Sequence, residues 1–402
     1  MKKYPLSLLF LLFAIQSFAQ YNVSGRVINK SDKKPVANAV VFINNSAIES
    51  TTDSAGQYKL NLPASQYHLL ITIVGFESYK TPLTVKGNTV LNDIELTPKI
   101  GAIKEVTIKA RPNLSPCFPA FETEFFGNSL FARQCKILNP LAVQFYDITP
   151  KGGFTARSSD FVQIENDALG YKVKFLLLFF IKDVDKQSCF FKGESFFEEM
   201  KGTPKQEREW HKNRLACYQG SSIQLFRSIL SDSLAENGFR VKRASRKLNP
   251  YYNKNGMMVD PYDIDNAATA ATMANDLGID DDNSDNTVYN DRLENSFLTG
   301  KELLLKTNQK DLFAVSGKTP KDTSINSLYI EHTKNVLPFA KNESVPWIWG
   351  GKVTFFTFKD KPYLVFNDNG KMLNPGVMDI EGYMLMQSRV STMLPFDYKP
   401  ML

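Results

Sequence analysis

Residues 21 to 110 consist of short alternating segments divided by turn residues, and no helical period runs through them. A segment of that texture buries its apolar side chains by folding into two packed sheets, an all-β sandwich. Gly25-Arg26-Val27-Ile28 opens a strand, Asp32-Lys33-Lys34-Pro35 turns it, and Ala39-Val40-Val41-Phe42-Ile43 returns, which predicts a hairpin. In Thr52-Asp53-Ser54-Ala55-Gly56 the carboxylate can accept from amides two residues on, and glycine can take the positive φ of such a turn. Tyr58 to Leu62 alternates as a half-buried strand. From Tyr67 to Val74 both faces are largely apolar, which predicts a central strand. Leu91 to Leu96 and Glu105 to Ile108 close the module, and Pro112 begins a different texture.

Ahead of the module stand Lys2 and Lys3, an apolar run from Leu6 to Ile15, and Ser17-Phe18-Ala19 before Gln20. A short positive region, a core too short to span a bilayer and small residues at a cleavage position predict an export signal over residues 1–19. No cysteine follows that cut, so acylation there is not expected and the chain is expected to be periplasmic, outer-membrane-associated or secreted. The longest later apolar run, Phe175 to Ile181, is far below a membrane helix and reads as a buried strand. Loss of Lys2 and Lys3 takes the formal charge from +6 to +4, too modest to name a partner, and nucleic acid is not expected of an exported chain.

From residue 111 to 402 aromatics become dense and strand-like and helix-like segments mix, which predicts an α+β region with an antiparallel sheet and a helical pair, and a sub-boundary near 248–290. Phe145 to Ile148, Phe154 to Ile164, Tyr171 to Ile181 and Cys189 to Lys192 read as strands of a meander, with Glu165 to Gly170 as a turn. Thr203 and Pro204 read as the cap and first position of a helix carrying Trp210, Arg214, Cys217 and Tyr218 at helical spacing. Gly220-Ser221 ends it and starts another, with Ile223, Phe226, Ile229 and Leu230 as its apolar stripe and Asn237-Gly238 as its stop. Cys117, Cys135, Cys189 and Cys217 allow three disulfide connectivities, and at least one bridge is expected over four buried thiols.

Several of these residues carry a resemblance. Gly25-x-Val27, Pro35-Val36, Ala39-x-Val41, Thr52-Asp53-x-x-Gly56-x-Tyr58 and Val74-Gly75-Phe76 with Tyr79 resemble the carboxypeptidase regulatory-like domains. That resemblance implies a seven-stranded, transthyretin-like sandwich serving as an accessory module, and does not imply peptidase activity. Phe126-Gly127-Asn128-Ser129, Ile164-Glu165-Asn166-x-Ala168-Leu169-Gly170-Tyr171, Trp210-x-x-Asn213-Arg214-x-x-x-Tyr218-x-Gly220-Ser221 and Leu394-Pro395-x-Asp397-Tyr398-x-Pro400 resemble exported carboxypeptidase-like regulatory domain-containing proteins of Gram-negative bacteria. The chain departs from that pattern at Ser222-Ile223-Gln224-Leu225, where the resemblance leads one to expect a histidine two residues after Ser222, and at Gly382-Tyr383-Met384.

Catalytic signatures are weak throughout. His68, His211 and His332 fall in three separate segments without the paired spacing of a zinc site, so carboxypeptidase chemistry is not expected, and neither a metal nor a cofactor is. Ser316-Gly317-Lys318-Thr319 lacks the first glycine of a phosphate loop, since position 312 is Leu312, and reads as a polar turn. Asp276 to Asp291 is an acidic run without the glycine and closing glutamate of a calcium loop, and reads as solvated. Arg240, Lys242, Arg243, Arg246 and Lys247 read as a polar sheet edge in which Arg240, Lys242 and Ala244 share an exposed face. The most suggestive group is Trp210, Arg214, Tyr218, Ser221 and Arg227 with Glu165: a helix start beside guanidinium groups suits a carboxylate or sugar acid. The simpler reading is that the two arginines clamp the helices to carboxylates such as Glu165 or Asp167 while Trp210 and Tyr218 are core. The expectation is thus a non-catalytic envelope protein that binds or assembles protein or glycan, with an envelope hydrolase acting at Arg214 and Ser221 as the alternative.

Overall fold

The computed structural model describes residues 20–99, 115–248 and 289–400, apart from 74, 159, 185–187, 306, 308–311, 318–324, 335–336, 338–351, 360–362, 374–375 and 377. The export signal, the strand expected at Glu105 to Ile108, Lys318 and Thr319, and the acidic run from Asp276 to Asp285 lie outside the described residues. The chain divides into two compact units, the first holding the described residues up to Asn44 and from Ile48 to Lys99, the second holding Asn45–Ala47 and the remainder.

The first unit is built from β1 (Gln20–Asn29), β2 (Val40–Ile43), β3 (Glu49–Thr51), β4 (Gln57–Pro63), β5 (Ser65–Thr72), β6 (Tyr79–Val85), β7 (Thr89–Val90) and β8 (Ile94–Leu96). One sheet runs β3-β2-β5-β6, so β5 is central as its apolar faces require. In the other, β1 pairs β4 antiparallel, while β7 and β8 both run parallel to β1 at successive positions. With β7 and β8 counted as one interrupted line, the described residues of this unit hold seven strand lines. Val23, Val27, Val41, Leu60, Leu69 and Ile71 are all within 2% of full burial and form the interior. The expected β1–β2 hairpin is a correction. Asn29 N donates to Lys34 O and Lys33 N to Asn29 O, closing a tight turn, but the chain then crosses over and β2 joins β3 and β5 in the opposite sheet.

Part of the resemblance, the stretch from Gly25 to Tyr58, forms one contact set. Thr52, 2% exposed, donates its hydroxyl to Val36 O at 2.7 Å and accepts from Ala39 N at 2.8 Å. Asp53 Oδ1 accepts from Ala55 N and Gln57 N, and Gly56 at φ +73° lies where a Cβ would be 2.4 Å from Val27 O. Only glycine fits there. Gly25 is likewise bare because Tyr58 lies over it, and burial pushes the Tyr58 phenol up to about 12.

The second unit begins with α1 (Phe118–Phe126), β9 (Cys135–Ile137), β10 (Val143–Tyr146), β11 (Phe154–Ser158), β12 (Val162–Asn166), β13 (Tyr171–Asp183) and β14 (Ser188–Glu199). These strands make one antiparallel sheet in which β13 pairs β14 on one side and both β11 and β12 on the other. The single strand expected over Phe154 to Ile164 is therefore two, broken where Ser158 Oγ takes the amide of Leu177 at 2.8 Å in place of a backbone partner. The β13–β14 register shifts at the same level, between Leu177 and Phe179. α1 lies on this sheet through rings: Phe121 meets Phe180 at 4.9 Å, and Phe125 meets Phe175 and Phe191 at 5.2 Å each.

Two helices follow, α2 (Pro204–Tyr218) and α3 (Ser222–Leu230). Thr203 and Gln206 form a capping box at the start of α2, and Ser221 caps α3. α3 ends at Leu230, well before the expected stop at Asn237-Gly238, because Ser231 Oγ turns back to Arg227 O and Asp232 adopts φ +53°. The chain continues through β15 (Phe239–Leu248), β16 (Tyr289–Leu293), α4 (Gly300–Leu303), β17 (Leu304–Leu305), β18 (Leu312–Val315), β19 (Ser327–His332), β20 (Val353–Phe358), β21 (Leu364–Asn367), β22 (Met378–Gly382) and α5 (Tyr383–Gln387). β16-β15-β19-β20-β22 and β17-β18-β21 form two further antiparallel sheets.

The basic run thus lies on β15, an interior strand and not the expected edge; Ala244 is fully buried and Arg246 is 7% exposed, the latter bonded to Glu381 at 3.2 Å. α2 packs into the core of the six-stranded sheet through Cys217 and Tyr218; α3 touches that core through Ile223 and packs into a second one through Leu225, Phe226 and Ile229. The four cysteines are all free thiols, which corrects the expected bridge: an aromatic core of this size holds the region without a covalent staple.

Candidate functional site

α2 and the turn between β12 and β13 meet through an unbroken series of hydrogen bonds. Trp210 Nε1 donates to Asp167 O at 2.8 Å, Asn213 Nδ2 to Ala168 O at 2.8 Å, Arg214 Nε to Leu169 O at 2.7 Å and Arg214 Nη2 to Gly170 O at 3.1 Å. Four consecutive carbonyls are thereby taken by one helix face, which the spacing 210, 213, 214 creates. Asn166, 1% exposed, fixes the turn from within: its Oδ1 accepts from Leu169 N and its Nδ2 donates to Ser391 O. Gly170 at φ +66° has no room for a side chain, since a Cβ would lie 2.2 Å from the indole of Trp210.

Arg214 is 3% exposed and its guanidinium lies 3.9 Å from the centre of the Tyr171 ring. Its remaining nitrogen, Nη1, bonds Glu199 at 3.1 Å. Burial pushes the Tyr171 phenol up, against the opposing pull of Arg214. Arg227 is spent in a similar way: Nε donates to Asn369 O, Nη1 to Tyr398 O and Nη2 to Phe396 O at 2.6 to 3.0 Å, and the group sits over Tyr218 at 5.6 Å. It ties α3 to the C-terminal segment, where Tyr398 meets the Tyr218 ring at 5.7 Å and burial pushes the Tyr398 phenol up to about 12. Ser221 Oγ accepts from Gln224 N at 3.2 Å as a helix cap, and Gln224 Oε1 accepts in return from Gly220 N.

Of the six grouped residues, Trp210, Arg214 and Tyr218 share α2, while Ser221 and Arg227 belong to the α3 end. Glu165 stands apart. It is paired across the sheet with Lys172 and Lys136, one residue out of phase with Asn166 and Tyr171, so the strand pleat turns it to the opposite face. The carboxylate at Arg214 is Glu199, directly across from Tyr171 on β14. Asn213 and Glu199 were absent from the sequence grouping; the i, i+3, i+4 run of donors on α2 was the available signal for the first. Among the described residues no cluster of three or more His, Cys, Asp or Glu side chains could hold a metal, and no helix is long and apolar enough to cross a membrane.

A different kind of surface lies on the outer face of the six-stranded sheet. Tyr146, Thr155, Ile181 and Phe190 stand directly opposite one another on β10, β11, β13 and β14. Their neighbours Phe145, Phe154, Phe180 and Phe191 point into the core, so this row faces away from it. Tyr146 is 46% and Phe190 59% exposed, and Phe179 extends the row through its ring contact with Phe190 at 6.5 Å.

The architecture is that of a β-sandwich module followed by a mostly-β unit with few helices. Residues 23–108 match the carboxypeptidase regulatory-like (CarboxypepD_reg-like) domain family, and that part of the chain is such a domain. Among solved structures, a DUF3823 family protein from Bacteroides ovatus is 17% identical over 46% of this chain and 83% of its own, with a TM-score of 0.17. The C-terminal domain of the shaft pilin SpaA from Lactobacillus rhamnosus GG is 15% identical over 20% of this chain and 98% of its own, at 0.17. A type II cohesin–X-dockerin complex from Acetivibrio cellulolyticus is 22% identical over 18% of this chain, at 0.17, and the chain spans about half the length of that structure, 52%. Likenesses at this level carry no functional weight. No curated protein matches the chain.

Proposed function

We propose that this is an exported, non-catalytic protein of the cell envelope that docks a protein partner on the outer face of its six-stranded sheet, with the regulatory-like sandwich as an accessory module. The export part of this reading rests on the Lys2–Ala19 pattern. The observation that carries the binding part is the row Tyr146–Thr155–Ile181–Phe190: two large rings at half exposure on a sheet face are the kind of apolar surface that partner proteins cover. What speaks against the hydrolase alternative is the use already made of its groups. Arg214 and Arg227 are bonded on every nitrogen, and Ser221 is a helix cap with no histidine bonded to it among the described residues.

The test is capture of envelope components by the mature chain beside its Tyr146→Asp, Phe190→Asp variant. Both positions are exposed, so the variant is expected to fold. A protein retained by the parent and lost by the variant supports docking on this face. Equal retention by both, or turnover of a peptide or glycan that vanishes in Ser221→Ala, overturns the proposal.

A further inference from the structure

α2 is rooted in one core, while α3 lies mainly in another and touches the first only through Ile223 at its start; Gln219, Gly220 and Ser221 join them, with Gln387 Nε2 donating to Cys217 O and Gln219 O. Gly220 adopts φ +75° and rests against an imidazole: a Cβ there would be 3.4 Å from both Cγ and Nδ1 of His332 and 2.9 Å from the ring of Tyr383. His332 is 2% exposed, with Phe239 edge-on at 4.8 Å. Its Nε2 lies 3.2 Å from Asn237 O, and because a carbonyl only accepts, Nε2 carries the hydrogen and Nδ1 a lone pair. Nδ1 is buried and has no hydrogen-bond partner.

We propose that Gln219–Ser221 is an acid-sensitive hinge between the two cores, released when His332 takes a second proton. A bare lone pair in this place is tolerated, whereas an N–H there would be a buried donor without a partner in the closed geometry. The charge that comes with it would meet two cations, Lys334, whose stem packs on Gly238, and Lys352, whose carbonyl accepts from His332 N. Glu236 offers its backbone carbonyl to Lys334 Nζ. From the remaining elements come Tyr383 and Cys217, both held neutral by burial; the Tyr383 oxygen already accepts from Leu337 N and Gln387 Nε2.

The two sides of the ring are held differently. Toward Phe239 it is locked in the β15–β19 ladder, where Phe239 and His332 are paired. Toward Gly220 it faces three residues outside any helix or sheet, whose neighbour Gln387 has its own Oε1 buried and unpartnered. Burial holds the imidazole below its ordinary 6.5, reinforced by the charges of Lys334 and Lys352 and partly offset by the backbone of Asn237 and of Lys334. The sign follows: an open turn lets the ring take its proton near 6.5 and the closed turn delays it, so closure is fully stable above 6.5 and weakens as pH falls.

Hydrogen exchange of the full chain, corrected for intrinsic rates, tests this. In the parent, opening at residues 219–221 should grow about tenfold per pH unit below the ordinary imidazole value until the folded ring titrates, and β13 amides should not follow. In His332→Gln, which stays neutral, the dependence should vanish. The ring's own titration, read by NMR among only three histidines, should have its midpoint where that growth levels off, which keeps the test decisive if the variant does not fold. The same pH dependence in the variant, a levelling-off away from the ring's midpoint, or opening spread evenly over both cores would overturn the proposal.

Discussion

Replacing Arg214 with alanine separates a structural clamp from a ligand site. The side chain makes two charge-assisted bonds to carbonyls, at 2.7 Å to Leu169 and 3.1 Å to Gly170, inside a region where it is 3% exposed. Each such bond contributes about 1.5–3 kcal/mol. The Glu199 bond adds little, because that carboxylate is 61% exposed and screened by water. Gly170 O keeps a second donor in Met200 N, which lowers the loss at one of the two carbonyls. Stacking on Tyr171 is lost as well, so the total falls at about 3–5 kcal/mol, the cost of removing one partner from a buried charged network. Set against a domain stability of about 5–15 kcal/mol, that is a large fraction. Arg214→Lys should lose roughly half as much, since one ammonium cannot bond two carbonyls and stack on a ring. Urea unfolding of the full chain gives the loss as a lowered midpoint at constant slope, and exchange at Leu169 and Gly170 locates it. An alanine variant with unchanged midpoint and protection would refute the clamp and return Arg214 to the candidate ligands.

The regulatory-like domain offers an independent check: Gly56→Ala puts a Cβ 2.4 Å from Val27 O at φ +73°, so it should cost about 1–3 kcal/mol from backbone strain alone, read as lost exchange protection in β1 and β4; a neutral result would mean the turn is not held as described. The thiols give a chemical readout. Cys217 is fully buried and burial pushes its thiol up, while Cys135 is pushed up to about 12, so neither should react with iodoacetamide in the native chain at mildly alkaline pH. Mass spectrometry after labelling checks this, and modification of Cys217 without denaturant would contradict its placement.

What the sequence revealed and what it hid divide along a physical line. The starts of α2 and α3 were readable because their caps are made by side chains: Thr203 with Gln206 and Ser221 with Gln224 are residue-type patterns. The Asp53–Gly56 and Asn166–Gly170 turns were readable for the same reason, each needing a side-chain acceptor and a glycine. Strand partners were not. Alternation in β1 and β2 states which face is apolar but not which strand lies alongside, and a tight turn at Asn29–Pro35 looks alike whether the chain pairs or crosses. The arginine clamp is legible in the sequence, but its acceptors are not, for a related reason. Five of the six acceptors of Arg214 and Arg227 are backbone carbonyls, which every residue carries, so no pattern of side chains marks them. Glu165 adjoins the turn whose carbonyls Arg214 binds and is excluded by a shift of one residue in the pleat. A carboxylate beside the segment a cation binds is therefore weak evidence of a site here. The outer row Tyr146–Ile181–Phe190 shows the converse, since its members lie far apart in the chain and meet only when β10, β11, β13 and β14 are set in register. The surface best suited to a partner is thus a property of the ladder, and its test must alter residues on different strands together.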